Sequence, residues 1–147
     1  MEIGIPPHLP HVLVAPPLME RVIANVIVNA LRYSSAGAPP LLTAQARADR
    51  VELRVADSGP GVPKADRDRM FEPFQRLGES GTATGVGLGL MLSRGLSEAM
   101  HGTLEPEETP GGGLTMAIRV PAVPEAADLP CASDAPSHPS PALPLQN

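Results

Sequence analysis

Two alternating runs separated by three residues constrain this fold most. Leu42, Ala44 and Ala46 alternate with Thr43, Gln45 and Arg47, and then Val51, Leu53 and Val55 alternate with Glu52 and Arg54. A period of two sends successive side chains to opposite sides of a pleated strand, so each run has one apolar and one polar face. Ala48, Asp49 and Arg50 join the runs, which therefore read as an antiparallel hairpin. A lone hairpin cannot bury its apolar face; it needs further strands and a layer laid across them.

The covering layer is legible on either side. Pro16 and Pro17 open a helix predicted over residues 18–34, since proline is tolerated in a first turn, and Pro39-Pro40 keep it from continuing. Its stripe is Met19, Val22, Ile23, Val26, Ile27, Ala30 and Leu31. A short helix is expected over residues 65–70, and a longer one over 86–100 with Leu88, Leu92, Leu96 and Met100 at core spacing. Residues 11–14, HVLV, read as a short strand, and LTMAIRV alternates again in a closing hairpin. The predicted class is an α/β two-layer sandwich, a mostly antiparallel sheet with three helices on one face.

A chain of 147 residues with 42% apolar content supplies one ordinary core. From Pro121 onward seven of 27 residues are proline and no apolar period survives, so residues 122–147 read as a disordered tail. Residues 1–8 read as a linker and 9–121 as the domain. A net charge of −5 argues against a nucleic-acid groove or a polybasic membrane surface. The single cysteine, Cys131, leaves no disulfide framework, and no signal-like or membrane-spanning segment is present, which fits a reducing cytoplasm.

Four short stretches carry chemistry. Asn25 and Asn29 lie one turn apart inside the apolar helix, continued by Arg32 and Tyr33 on the same ridge. A buried amide without partners costs about 1–3 kcal/mol, so the pair either bonds backbone or water at a helix edge or holds a ligand. An amide oxygen suits Mg²⁺, Arg32 suits phosphate and Tyr33 offers an aromatic face. "DSGPGV", residues 57–62, puts Asp57 at a strand end beside Gly59 and Gly61, whose missing side chains would let another molecule approach the backbone closely; an ordinary turn would look the same. "FEPFQR", residues 71–76, uses both phenylalanines of the chain, Phe71 and Phe74. "GVGLGL", residues 85–90, sets three glycines at a helix start, where free N–H groups favour phosphate.

In this order the four stretches resemble the N, G1, F and G2 boxes of the ATP-binding domain of sensor histidine kinases. That domain has the Bergerat fold, shared with gyrase, Hsp90 and MutL ATPases. "ERVIANVIVNALRYS", "FEPFQR" and "GVGLGLMLSRGLSEAMHGTL" look most like the potassium-responsive Kdp-type sensors. The resemblance implies a mixed, mainly antiparallel five-stranded sheet under three helices, with ATP between helices and lid.

Carried over by position, Asn29 would coordinate Mg²⁺, while Asn25 and Arg32 would act on metal-bound water and phosphate. Tyr33 would pack beside adenine, Asp57 would accept from its amino group, and Gly59 and Gly61 would admit the base. Phe71 and Phe74 would anchor the lid. Gly85, Val86, Gly87, Leu88 and Gly89 would hinge it and face the phosphates, with Arg76 a further phosphate contact. Hydrolysing relatives resemble one another in a glutamate at the position of Asn25; an amide cannot serve as that base, which favours phosphoryl transfer. The resemblance places the acceptor histidine on a separate dimerisation domain, with a response regulator reached through a full-length, membrane-anchored kinase. None of His8, His11, His101 and His138 sits in an acceptor motif. A hydrolysing ATPase, an anti-sigma-type serine kinase and a non-catalytic nucleotide-binding module are the other readings.

Overall fold

A computed structural model describes residues 1–73 and 88–123. Five strands form one sheet: β1 (Glu2–Gly4), β2 (Leu41–Arg47), β3 (Arg50–Ala56), β4 (Thr103–Glu108) and β5 (Leu114–Pro121), in spatial order β1-β2-β3-β5-β4. The expected hairpin is β2–β3, with Leu42 opposite Val55, Ala44 opposite Leu53 and Ala46 opposite Val51. Apolar faces apolar at every other pair, which fixes the register. Arg50 already pairs with Arg47, so the turn is only Ala48 and Asp49, and Ala48 takes a φ of +45°. β5 runs antiparallel between β3 and β4, and β1 adds parallel to the edge of β2. The sheet is thus mixed and mainly antiparallel, as the resemblance implies.

Two α-helices, α1 (Pro16–Tyr33) and α2 (Gly89–Ala99), cover one face. Met19, Val22, Val26 and Ala30 of α1 pack with Leu42, Val51, Val55, Leu104, Met116, Ile118 and Val120 of the sheet. Burying each such side chain is worth roughly 1.5–3 kcal/mol. α2 turns inward a face only partly the one its leucine spacing predicts: Met100 is in the core and Leu96 packs against it, but Leu92 does not. Ser93 and Ser97 are fully buried while Leu92 is 42% exposed. Small residues at i and i+4 let α2 lie close to its neighbours, and each hydroxyl is satisfied within the helix, Ser93 Oγ donating to the Gly89 carbonyl and Ser97 Oγ to the Ser93 carbonyl.

Three further expectations are corrected. The helix over residues 65–70 is two successive 3₁₀ turns, Lys64–Asp66 and Asp68–Phe71, too short to close a regular α-helical turn before Glu72 becomes extended. The strand over residues 11–14 reduces to one bridge, Val12 to Ala122, because the strand partners beside it are already taken. The linker over residues 1–8 contains β1, whose three exposed residues hydrogen-bond at the sheet edge. Of the expected tail, residues 122–147, Ala122 is bridged to Val12 and packs against the core, and residues 124–147 lie outside the described residues.

The helix-free face of the sheet carries ions. Arg119 donates from Nε to Glu52 (2.6 Å), from Nη1 to Glu105 (2.5 Å) and from Nη2 to Glu107 (2.6 Å). Arg54 bridges Glu107 at 2.6 Å and Glu52 at 3.3 Å, and Gln45 donates to Glu52 at 2.8 Å. Glu52 is only 4% exposed, so unlike a surface pair this one cannot fall back on water. Burial opposes ionisation of Glu52 and Glu107, yet the hydrogen bonds from Arg119 and Arg54, and from Gln45 to Glu52, outweigh it and hold both below the usual glutamate value of 4.5. A lowered folded-state pKa stabilises the fold above the unfolded value, and that stabilisation is lost as the pH falls through the folded value. Arg119→Met is expected to cost about 2 kcal/mol near neutral pH in urea unfolding. The gap between variant and parent should narrow as the pH drops below 4.5.

Candidate functional site

One ridge of α1 organises the site. Asn25, Asn29 and Tyr33 follow one another at four-residue steps, so their Cα atoms share a face and span about 12 Å along the axis. At one end Asn25 Nδ2 donates to the Gly89 carbonyl (3.3 Å) and to Ser93 Oγ (3.1 Å), fastening the first turn of α2 to α1. At the other end the Tyr33 carbonyl lies so close to Gly59 that any Cβ there would overlap it. Asn29 sits between, half-buried and without a side-chain hydrogen bond among the described residues.

Asp57 follows the end of β3 and is 6% exposed. Its Oδ1 accepts from the Gly59 N–H (2.9 Å) and the Leu114 N–H (3.1 Å), and its own N–H donates to the Leu114 carbonyl at 2.9 Å. Oδ2 has no partner among the described residues. The turn is fastened from below as well: Ser58 Oγ donates to the Ala38 carbonyl (3.0 Å), and Ser35 Oγ donates to the Ser58 carbonyl (2.9 Å). The result is a buried carboxylate with one oxygen saturated and one available, a standard way to fix the orientation of a polar ligand group.

The glycines serve the chain's own backbone. Gly59 meets Tyr33, while Gly61, at a φ of +72°, has the Gly113 carbonyl 3.0 Å from where a Cβ would stand. Close approach occurs at both, but it is of the chain's own backbone rather than of another molecule. Leu88 and Gly89 begin α2, Leu88 half-buried and Gly89 exposed. Phe71 is part of the core, and the Arg94 guanidinium stacks 4.5 Å from its ring centroid. Arg32 is exposed in the last turn of α1. Phe74, Arg76, Gly85, Val86 and Gly87 lie outside the described residues. Ser93, Ser58, Gly113 and Leu114 escaped sequence reasoning. The signal for the last two was the run of three glycines at residues 111–113, ahead of a strand.

The model of the histidine kinase-, DNA gyrase B- and HSP90-like ATPases matches residues 15–124, most of the described chain. The chain belongs to that ATPase family. This histidine kinase-, gyrase- and HSP90-like ATPase domain is 49% identical over 117 residues to the sensor protein KdpD of Rathayibacter rathayi, covering 80% of this chain and 14% of that protein. Full-length ShkA, solved in complex with AMPPNP, superposes with a TM-score of 0.71 at 34% identity, over 87% of this chain and 27% of the other. The mycobacterial sensor histidine kinase MprB superposes at 0.74 with 26% identity, over 84% of each chain. The fold of this ATPase domain is therefore that of histidine kinase ATP-binding domains.

Gly59→Ala places a methyl on the Tyr33 carbonyl and is expected to destabilise the domain by about 3 kcal/mol in chemical unfolding. Gly37→Ala, at a φ of +85° with open space around it, should cost only about 1 kcal/mol from backbone strain. Equal losses would contradict the close approach.

Proposed function

We propose that the chain binds Mg-ATP as the catalytic domain of a two-component sensor histidine kinase and supplies the γ-phosphoryl group to a histidine on a separate dimerisation domain. The observation that carries this is the α1 ridge, which joins a buried, half-satisfied carboxylate at Asp57 to the glycine start of α2. Its span of about 12 Å suits an extended nucleotide, base at one end and phosphates at the other.

At the base end Asp57 Oδ2 accepts from the adenine amino group and Tyr33 packs beside the ring. At the phosphate end Asn29 supplies an amide oxygen to Mg²⁺, Asn25, whose Nδ2 is held by Gly89 and Ser93, leaves its Oδ1 to orient water, and we assign Arg32 and the glycine-rich stretch ahead of α2 to the phosphates. Among the described residues no three His, Cys, Asp or Glu side chains gather into a metal cage. A cation shared between one amide and the phosphates fits that donor set, because Mg²⁺ keeps most of its shell as water and phosphate oxygen. Bound there, Mg²⁺ would neutralise charge developing on the transferred group. Asn25 is neutral and its amide is already engaged by Gly89 and Ser93, so no base for water stands at that position.

The remaining steps belong to domains outside this chain, which spans 14% of the KdpD relative. We place the acceptor histidine, the response regulator, the membrane anchor and a potassium or osmotic stimulus there, on the strength of that similarity. Among the described residues no helix is long and apolar enough to cross a membrane.

Calorimetry should show Mg²⁺-dependent ATP binding lost in Asp57→Ala and weakened at least tenfold in Asn29→Ala, the cost of about 1.4 kcal/mol or more for a missing ligand. Labelled phosphate should move from ATP to a supplied histidine-bearing helical domain, with slow turnover in its absence. Brisk hydrolysis by the chain alone, or tight binding in both variants, would contradict the reading.

A further inference from the structure

We propose that the turn between β4 and β5, through Gly113 and the Leu114 amide, is a positioning device that locks the Asp57 carboxylate and thereby selects 6-aminopurine over 6-oxopurine nucleotides. The inference rests on the proposed binding of an adenine nucleotide at Asp57.

Three observations carry it. Two backbone N–H groups from different parts of the chain, Gly59 and Leu114, converge on the same oxygen, Oδ1. A carboxylate gripped at one oxygen by two fixed donors cannot turn about its terminal bond without breaking both. The backbone at the same place is closed in the other direction, Asp57 N–H to the Leu114 carbonyl at 2.9 Å, so Asp57 and Leu114 form a ring of reciprocal bonds. Only glycine allows this ring: Gly113 has a φ of +104°, and a Cβ there would overlap the Asp57 carbonyl oxygen.

The consequence is chemical selectivity. A carboxylate free to swing could accept either the amino hydrogen of adenine or the N1 hydrogen of a 6-oxopurine, following whichever ring arrived. A locked Oδ2 is one acceptor at one place. An amino group there donates to it, whereas a carbonyl there sets oxygen against oxygen.

The lock makes an unusual variant informative. In Asp57→Asn the two N–H donors demand the amide oxygen, because the alternative sets an NH₂ against two donors. The amide nitrogen must then face the ligand, as a donor that suits a 6-oxo group and opposes a 6-amino group. An unlocked asparagine would flip to suit either base.

Calorimetric titration of the 147-residue chain with ATP and with inosine triphosphate, each with Mg²⁺, tests this. The parent should favour ATP by about tenfold or more, and Asp57→Asn should reverse the order and favour inosine triphosphate. Gly113→Ala, which pushes the Leu114 amide away from Asp57, should bring the two affinities to within about threefold of each other. Asp57→Asn leaves the turn intact, so the reversal does not depend on how Gly113→Ala folds. A parent that favours ATP while Asp57→Asn binds neither nucleotide, or still favours ATP, would overturn the lock alone. A parent that binds neither nucleotide would overturn the nucleotide reading as well.

Discussion

The structure turns on the seating of α1, which is held at both ends of one polar ridge rather than by its apolar stripe alone. The stripe supplies the energy of burial but would tolerate a helix shifted or rotated by a few degrees. The Asn25 amide on Gly89 and Ser93, and the backbone contact of Tyr33 on Gly59, do not. Hydrogen bonds and glycine contacts are short-ranged and directional, so they set position where hydrophobic packing sets affinity. Because one contact lies at the start of α2 and the other at the Asp57 turn, the two ends of the candidate site are held at a fixed separation by a single rigid rod.

The sheet divides its labour between faces. The covered face is aliphatic and accepts both helices, while the open face replaces a second helical layer with Glu52, Glu105, Glu107, Arg54 and Arg119. β5 is buried almost throughout since it is an interior strand, between β3 and β4, and lies beneath both systems. Its first residue, Leu114, also holds Asp57, so a deeply embedded strand orients the carboxylate to which we assign the base. Positioning by an interior strand is stiffer than positioning by a loop, which is what the role we propose for Asp57 requires.

Much of this was legible in the sequence. The hairpin itself followed from strict alternation at residues 42–46 and 51–55, although its turn is one residue shorter than expected, and most of the α1 stripe followed from its period, Leu31 alone being exposed at 52%. The family resemblance implied Asp57 and the asparagines, and the family itself is established by the match over residues 15–124. What failed had short or misleading signals. β1 is three exposed residues with no period to read. The leucines of α2 gave an apolar spacing, yet Ser93 and Ser97 face inward, since hydroxyls bonded within their own helix bury cheaply and allow closer packing. Gly59 and Gly61 suggested approach by another molecule, whereas the described neighbours are the chain's own backbone, because propensity cannot say what approaches. The partners, Tyr33 and Gly113, are distant in sequence and emerge only from the fold. The grip of Leu114 on Asp57 is likewise a backbone contact across 57 residues, invisible to side-chain patterns.

The central claim is that base and phosphates occupy opposite ends of the α1 ridge, and backbone amide chemical shifts recorded during ligand titration test it most directly. Adenosine alone should move the signals of residues 57–59, 61, 113 and 114 and leave residues 25, 29, 88 and 89 in place. A non-hydrolysable ATP analogue with Mg²⁺ should move both groups. If adenosine and the triphosphate shift the same set, or if neither shifts Asp57 and Leu114, the two-ended site is wrong.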